Sequence, residues 1–273
     1  MFFRKLTAPA LLLACYGLSA SGQTTADAIK ARLVGQPLLL RGFWLDDELH
    51  FDNVGKPLAT YKTGSFTESA FDAKEVKLKG GRLTIEGQRV ALAFTKDGTV
   101  ERLPLTKPKH FGPSPEKLTI VIDGQGDPDF GKELDAIFAS HLYEITPSLP
   151  GSWQPFARTH FLRPGQFANP TNYRTKSTVM HIGANVMRPE VLKQIEPTFT
   201  ETARQLKYSG ESEIYLWVER DGTPSHITIV QPVGAGLDEK AAAAVAQYQF
   251  SPALFDDKPV IVDLYVKVNF QIR

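Results

Sequence analysis

The chain has 273 residues, of which 42% are hydrophobic and 22% charged, with 31 Lys+Arg against 30 Asp+Glu. This is ordinary globular composition, long enough for two domains, and it excludes a disordered linker. A net charge of +1 supplies no basic face, so no nucleic-acid partner is expected.

Met1-Phe2-Phe3-Arg4-Lys5 is a short basic opening and Leu6–Ala20 an apolar run. Ala20-Ser21-Gly22 is a small-residue site for cleavage before Gln23. Residues 1–22 therefore read as a secretory signal peptide. The run contains Pro9 and is shorter than the roughly 20 residues of a membrane span. Its removal takes away two basic residues and the one cysteine, Cys15, leaving no disulfide or thiol chemistry. The expected location is the periplasm. Two alternatives keep the segment: a lipoprotein with Leu12-Leu13-Ala14-Cys15 as lipobox, or an inner-membrane anchor. Membrane association follows only from those two.

Residues 24–34 suggest a short helix with Thr25 as its cap. From Gln36 to about Asp123 the pattern is β. Lys74–Lys79, Arg82–Glu86 and Arg89–Phe94 read as strands divided by turns at Gly80-Gly81 and Gly87-Gln88. Leu38–Trp44, Glu48–Phe51, Val100–Leu105 and Lys117–Ile122 are further candidates. A compact antiparallel meander or small barrel is expected for a domain over residues 23–125. Residues 129–142 repeat apolar side chains at helical spacing, with Asp127 or Asp129 as cap. Residues 144–180 are irregular and rich in Pro, Gly, Asn and Thr. They read as a linker or a connection packed across two domains, and residues 126–189 form the stretch between them.

Residues 190–273 give a capped short helix, a hairpin, an Ala-rich helix and a closing strand. Thr198-Phe199-Thr200-Glu201 has the form of a capping box. Glu213–Arg220 and Ser225–Gln231 flank the turn dipeptide Asp221-Gly222. Asp238 and Glu239 open the second helix, where they suit its positive end. In the closing strand Val260, Val262, Leu264, Val266, Val268, Phe270 and Ile272 share one face, which is expected to be buried. Leu264 and Val266 sit at mid-strand on that face. Tyr265 points the other way, as do Tyr215 and Trp217 in the hairpin. These three form either a partner-contact patch or a packed layer.

Catalytic and metal chemistry find no support. The six histidines, at 50, 110, 141, 160, 181 and 226, show no ligand spacing. Asp123, Asp127 and Asp129 do not follow a calcium-loop pattern and suit an acidic turn before a helix. Gly234-Ala235-Gly236 lacks a following Gly-Lys-Ser/Thr, and no serine has a nucleophile-elbow context. No enzyme activity, metal or cofactor is expected.

Five pieces occur in order and spacing: Phe199…Ala203-Arg204; Asp221-Gly222; Gly236-Leu237-Asp238-Glu239-Lys240-Ala241; Tyr248-Gln249-Phe250-Ser251-Pro252-Ala253; and Asp257-Lys258-Pro259-Val260. Together they resemble the TonB C-terminal domain. The resemblance implies two helices on a three-stranded antiparallel sheet, within an α+β protein whose N-terminal part is β-rich. It also implies a partner, an outer-membrane TonB-dependent receptor, whose short extended segment adds as a strand to the last strand. The residues expected at that contact are Val260, Val262, Asp263, Leu264, Tyr265, Val266 and Lys267, with Tyr215 and Trp217. The alternative for this strand is a plain structural edge, with Asp263 and Lys267 as guards against aggregation. The chain lacks the long Pro/Lys-rich spacer of membrane-anchored TonB proteins. The alternative function is an envelope scaffold that reuses this fold without energy transduction.

Overall fold

A computed structural model describes residues 25–109, 112–124, 129–166, 168, 179–183 and 185–272. The expected signal peptide and Cys15 lie outside the described residues, as do His110 and Asp127.

The first sheet is open and mixed. In spatial order it runs Glu48–Phe51, Lys117–Ile122, Arg82–Phe94, Ala70–Lys79, Leu38–Leu40 and Phe138–Ala139, with Val100–Pro104 paired to the second half of Arg82–Phe94. All its pairs are antiparallel except Glu48–Phe51 with Lys117–Ile122. The expected meander thus gives way to a sheet with a crossover. Gly80-Gly81 does turn the central hairpin, but Gly87-Gln88 does not divide a second one. The strand Arg82–Phe94 continues through it. A Cβ at Gly87 would lie 2.2 Å from the Asp72 carbonyl oxygen and 2.6 Å from the Phe71 ring. Gly87 is there for close approach, opposite a bulge between Ala73 and Glu75.

The strand Leu38–Leu40 stops short of Trp44. The helix expected over 129–142 spans Gly131–Ile137. Its flank is Phe130 in the left-handed region, while the Asp129 carboxylate accepts from the Gly131 N–H, 3.0 Å. Within the stretch expected to be irregular, residues 144–166 carry more regular structure than their composition suggests: Gln154–His160 is a helix. Around it Trp153, Phe156 and Phe161 pack with Phe66 and Phe94; the Trp153 and Phe66 rings meet edge-on at 4.9 Å. Trp153, Phe156, Ala157 and Phe161 are thereby built into the core.

Two cores result. Ile29, Leu33, Leu134 and Ile137 cover one side of the first sheet with Phe51, Phe71 and Ile120. The other core runs without a break from Leu39, Val90 and Leu92 through Trp153 into Ile214, Leu216, Leu237, Val262, Leu264 and Phe270.

In the C-terminal region the long strands are Gly210–Val218, Pro224–Gln231 and Lys258–Phe270, with the closing strand beside Gly210–Val218. The helices are Glu201–Leu206 and Leu237–Val245. Three short strands extend this sheet beyond the expected three: Val179–Met180, Val186–Met187 and Ala253–Phe255. The first helix is capped by Thr200, not Thr198. The Thr200 hydroxyl accepts from the Ala203 N–H at 3.0 Å and donates to the Ala235 carbonyl at 2.7 Å. That second, long-range bond selects this threonine.

The loop before the second helix joins the two sheets. Phe94 N–H donates to Val233 O, Ala235 N–H to Leu92 O, and Gly236 N–H to the Thr67 hydroxyl. Gly234 has φ +96, and a Cβ there would lie 2.3 Å from Leu92 O. Only glycine fits both demands.

Candidate functional site

The inner side of the closing strand pairs continuously with Gly210–Val218. Gly210 stands opposite Phe270 at one end and Val218 opposite Val262 at the other. The outer side is divided. Ala253–Phe255 pairs with Lys258–Val260, and Val179–Met180 pairs in parallel with Ile261–Val262. From Leu264 to Phe270 no strand among the described residues pairs with the outer side.

The alternation expected from sequence is present. Val262, Leu264, Val268 and Phe270 are buried, and Tyr265 and Lys267 are exposed. Val266 is only half-buried, although Ile214 opposite it and Leu264 and Val268 on either side of it on the same face are buried. Val260 and Val262 are covered on their outer side, at Ala253 and Met180. These two positions are therefore not part of the open edge.

Tyr215 and Trp217 are 2% and 6% exposed, so their rings form a packed layer and not a free patch. The Trp217 Nε1–H donates to the Tyr215 hydroxyl at 3.0 Å, and that hydroxyl donates to Asp263 Oδ2 at 3.4 Å. His226 stacks on Trp217 with ring centroids 3.7 Å apart. Its φ of +52 belongs to the irregular register between Tyr215 and Trp217. Burial raises the Tyr215 hydroxyl's pKa, against the lowering by the Trp217 N–H. Tyr265 is the exposed aromatic, 48% open, leaning on Tyr215 at 5.2 Å.

Asp263 differs from its expected part as an exposed guard. It is 7% exposed, opposite Trp217, and His181 Nδ1 lies 2.7 Å from its Oδ1. Lys267 does remain at the surface, paired with Glu211 at 2.8 Å. His181 escaped the sequence reading because its only local signal is the short alternation Val179-Met180-His181-Ile182.

Two more buried acids lie at the start of the second helix. Asp238 accepts from Ser212 Oγ, Val233 N–H and Gly234 N–H at 2.7, 2.9 and 2.7 Å. Burial nonetheless pushes its pKa up to about 7. Glu239 Oε1 accepts from Ser65 Oγ at 2.7 Å and Trp153 Nε1–H at 2.8 Å, and burial raises this acid too. The two acids at the helix start thus pin the loop and the joint between sheets, as well as facing the helix dipole.

Among the described residues no group of His, Cys, Asp and Glu has the form of a metal site. Nor, among them, is any helix long and apolar enough to cross a membrane.

Residues 195–272 match the family model of the Gram-negative bacterial TonB protein C-terminal. The chain is 25% identical over 84 residues to Protein TonB of Vibrio cholerae serotype O1. That match takes in 30% of this chain and 34% of the relative, so the chain spans about a third of the relative's length. A solution NMR structure of the Pseudomonas aeruginosa TonB CTD is 18% identical, with a TM-score of 0.27 over 36% of this chain and 97% of that one.

Proposed function

With residues 195–272 belonging to the TonB C-terminal family, we propose that this TonB-like protein works in the periplasm and binds an extended segment of an outer-membrane receptor by strand addition. The observation that carries the reading is the outer side of Leu264–Phe270, which no strand among the described residues pairs. An incoming segment meets backbone N–H and C=O groups there, and a ladder of main-chain bonds supplies its affinity. Tyr265 and Lys267 are exposed beside that ladder and add contacts of lesser weight.

Proline removes the N–H that a ladder needs. Titration of receptor-derived peptides against Tyr265→Pro and Lys267→Pro tests the reading, with circular dichroism to establish folding. Tyr265 and Lys267 are two apart in the strand and direct their N–H groups to the same, outer side, so each loses binding as proline and keeps most of it as alanine. No peptide binding by the wild-type chain, or binding indifferent to both folded proline variants, counts against strand addition and favours an envelope scaffold.

A further inference from the structure

The segment ahead of the C-terminal region already sits on this edge. Val179 lies opposite Ile261 and Met180 opposite Val262, in parallel. The same offset carries His181 to Asp263, where the 2.7 Å contact forms. Residues opposite each other in a sheet share a face. Met180 therefore sits with Val262 on the core side, and His181 with Asp263 on the Tyr215–Trp217 side. Ile182 returns to the core side, and both it and Met180 pack against the main core.

We propose that Val179–Ile182 is a resident strand holding the first rungs of the docking edge, and that a partner segment binds by displacing it. This rests on the strand-addition reading above. The partner takes the same parallel sense and the same pattern: an apolar residue, then a cation or hydrogen-bond donor, then an apolar residue. Displacement is favoured over binding beyond the resident strand by what each stretch offers. Rungs 261–263 combine an apolar seat on the core side with a buried carboxylate on the other. Beyond them the outward residues Tyr265, Lys267 and Asn269 are exposed and the inward Val266 is half-buried. A ladder of two residues is also a weak hold, so a longer segment gains rungs as it replaces it. Because the resident strand is tethered, it competes at an effective concentration on the order of mM. A partner's apparent Kd rises in inverse proportion to the fraction of chains with the edge free.

The probe is a labelled peptide of residues 176–184 of this chain, titrated by fluorescence anisotropy into the full chain. Met180→Asp in the chain puts a charge against the core and releases the segment. We expect the peptide to bind this variant about tenfold or more tightly than the wild type, the change for a segment docked in about nine-tenths of molecules. The peptide carrying Met180→Asp itself should bind neither. If Met180→Asp does not fold by circular dichroism, replacing residues 177–182 with a Gly/Ser run of equal length serves the same purpose. Equal binding to wild type and released variant, or no binding to a folded released variant, overturns the resident strand. Receptor-derived peptides in the same titration separate the two readings. If they bind wild type and released variant equally, strand addition stands and displacement falls. If only the self-peptide gains, displacement stands and the receptor reading falls.

Discussion

The loop at residues 233–239 and the outer side of the closing strand belong to the same C-terminal region, yet they differ in almost every physical respect. In the loop, the N–H groups of Val233, Gly234, Ala235 and Gly236 all find acceptors: two on Asp238, one on Leu92 O of the first sheet and one on the Thr67 hydroxyl in the short helical turn Phe66–Glu68. Its glycine is fixed by a carbonyl 2.3 Å from where a Cβ would lie. Along the strand edge from Leu264 to Phe270 no described strand takes up the outward groups. The loop holds the most recognisable motif of the region, Gly236-Leu237-Asp238, and spends it on internal closure. The edge holds no motif beyond alternation, and alternation is what a backbone-mediated contact requires. Recognisable residues mark the joint of the molecule, and the proposed contact surface lies where side chains are least specified.

Substitutions of core and joint side chains should therefore cost more than those of the exposed side chains along the edge. The largest loss of stability is expected for Trp153→Ala, which empties an aromatic cluster and strips a donor from Glu239; chemical denaturation should show a cost of about 3–5 kcal/mol. Leu264→Ala, on the buried side of the closing strand, should cost about 2–5 kcal/mol by the same measurement. A loss below about 1 kcal/mol for either would mean that the continuous core is not a single unit.

Asp238→Asn should cost about 1–3 kcal/mol, because the amide turns a donor toward a backbone N–H. Its pH dependence sharpens the comparison. Asp238 has a raised pKa when folded, so the native state keeps a proton that the unfolded chain releases. Its contribution is full below the ordinary value of 3.8 and fades as pH rises through about 7. The stability gap between wild type and Asp238→Asn should narrow across that window, in urea titrations at stepped pH. A gap that widens with pH would mean that the three donors outweigh burial. The smallest effect belongs to the edge: Lys267→Ala, whose ion pair with Glu211 is exposed on both sides, should stay within roughly 0.5 kcal/mol of wild type.

Much of the C-terminal region was legible in the sequence. Strand alternation from Val262 to Phe270, the Asp221-Gly222 turn and the Leu237 helix start are local signals, and they lie where periodicity and turn chemistry put them. What escaped is non-local. Gly87 reads as a turn until Phe71 and Asp72 are seen across the sheet. Thr198 and Thr200 are equivalent as caps until Ala235 O selects one. Helix Gln154–His160 is too short and too rich in mixed residues to show a period. Its stability comes from Phe66 and Phe94, far away in the chain. Val179–Met180 is a strand only because Ile261–Val262 lies beside it. For the candidate site, the strand and its faces could be read beforehand. The burial of Tyr215, Trp217 and Asp263 could not, because it depends on how residues opposite and across the sheet cover them.

Backbone hydrogen exchange of the full chain tests the central contrast most directly. In the free chain the amides of Phe94, Val233, Gly234 and Ala235 should exchange slowly, whereas alternate amides between Leu264 and Phe270, those directed outward, should exchange rapidly. Saturation with a receptor-derived peptide should protect that alternate set and leave the loop unchanged. Protection of every amide from Leu264 to Phe270 in the free chain, or no new protection there when peptide is bound, would contradict the account.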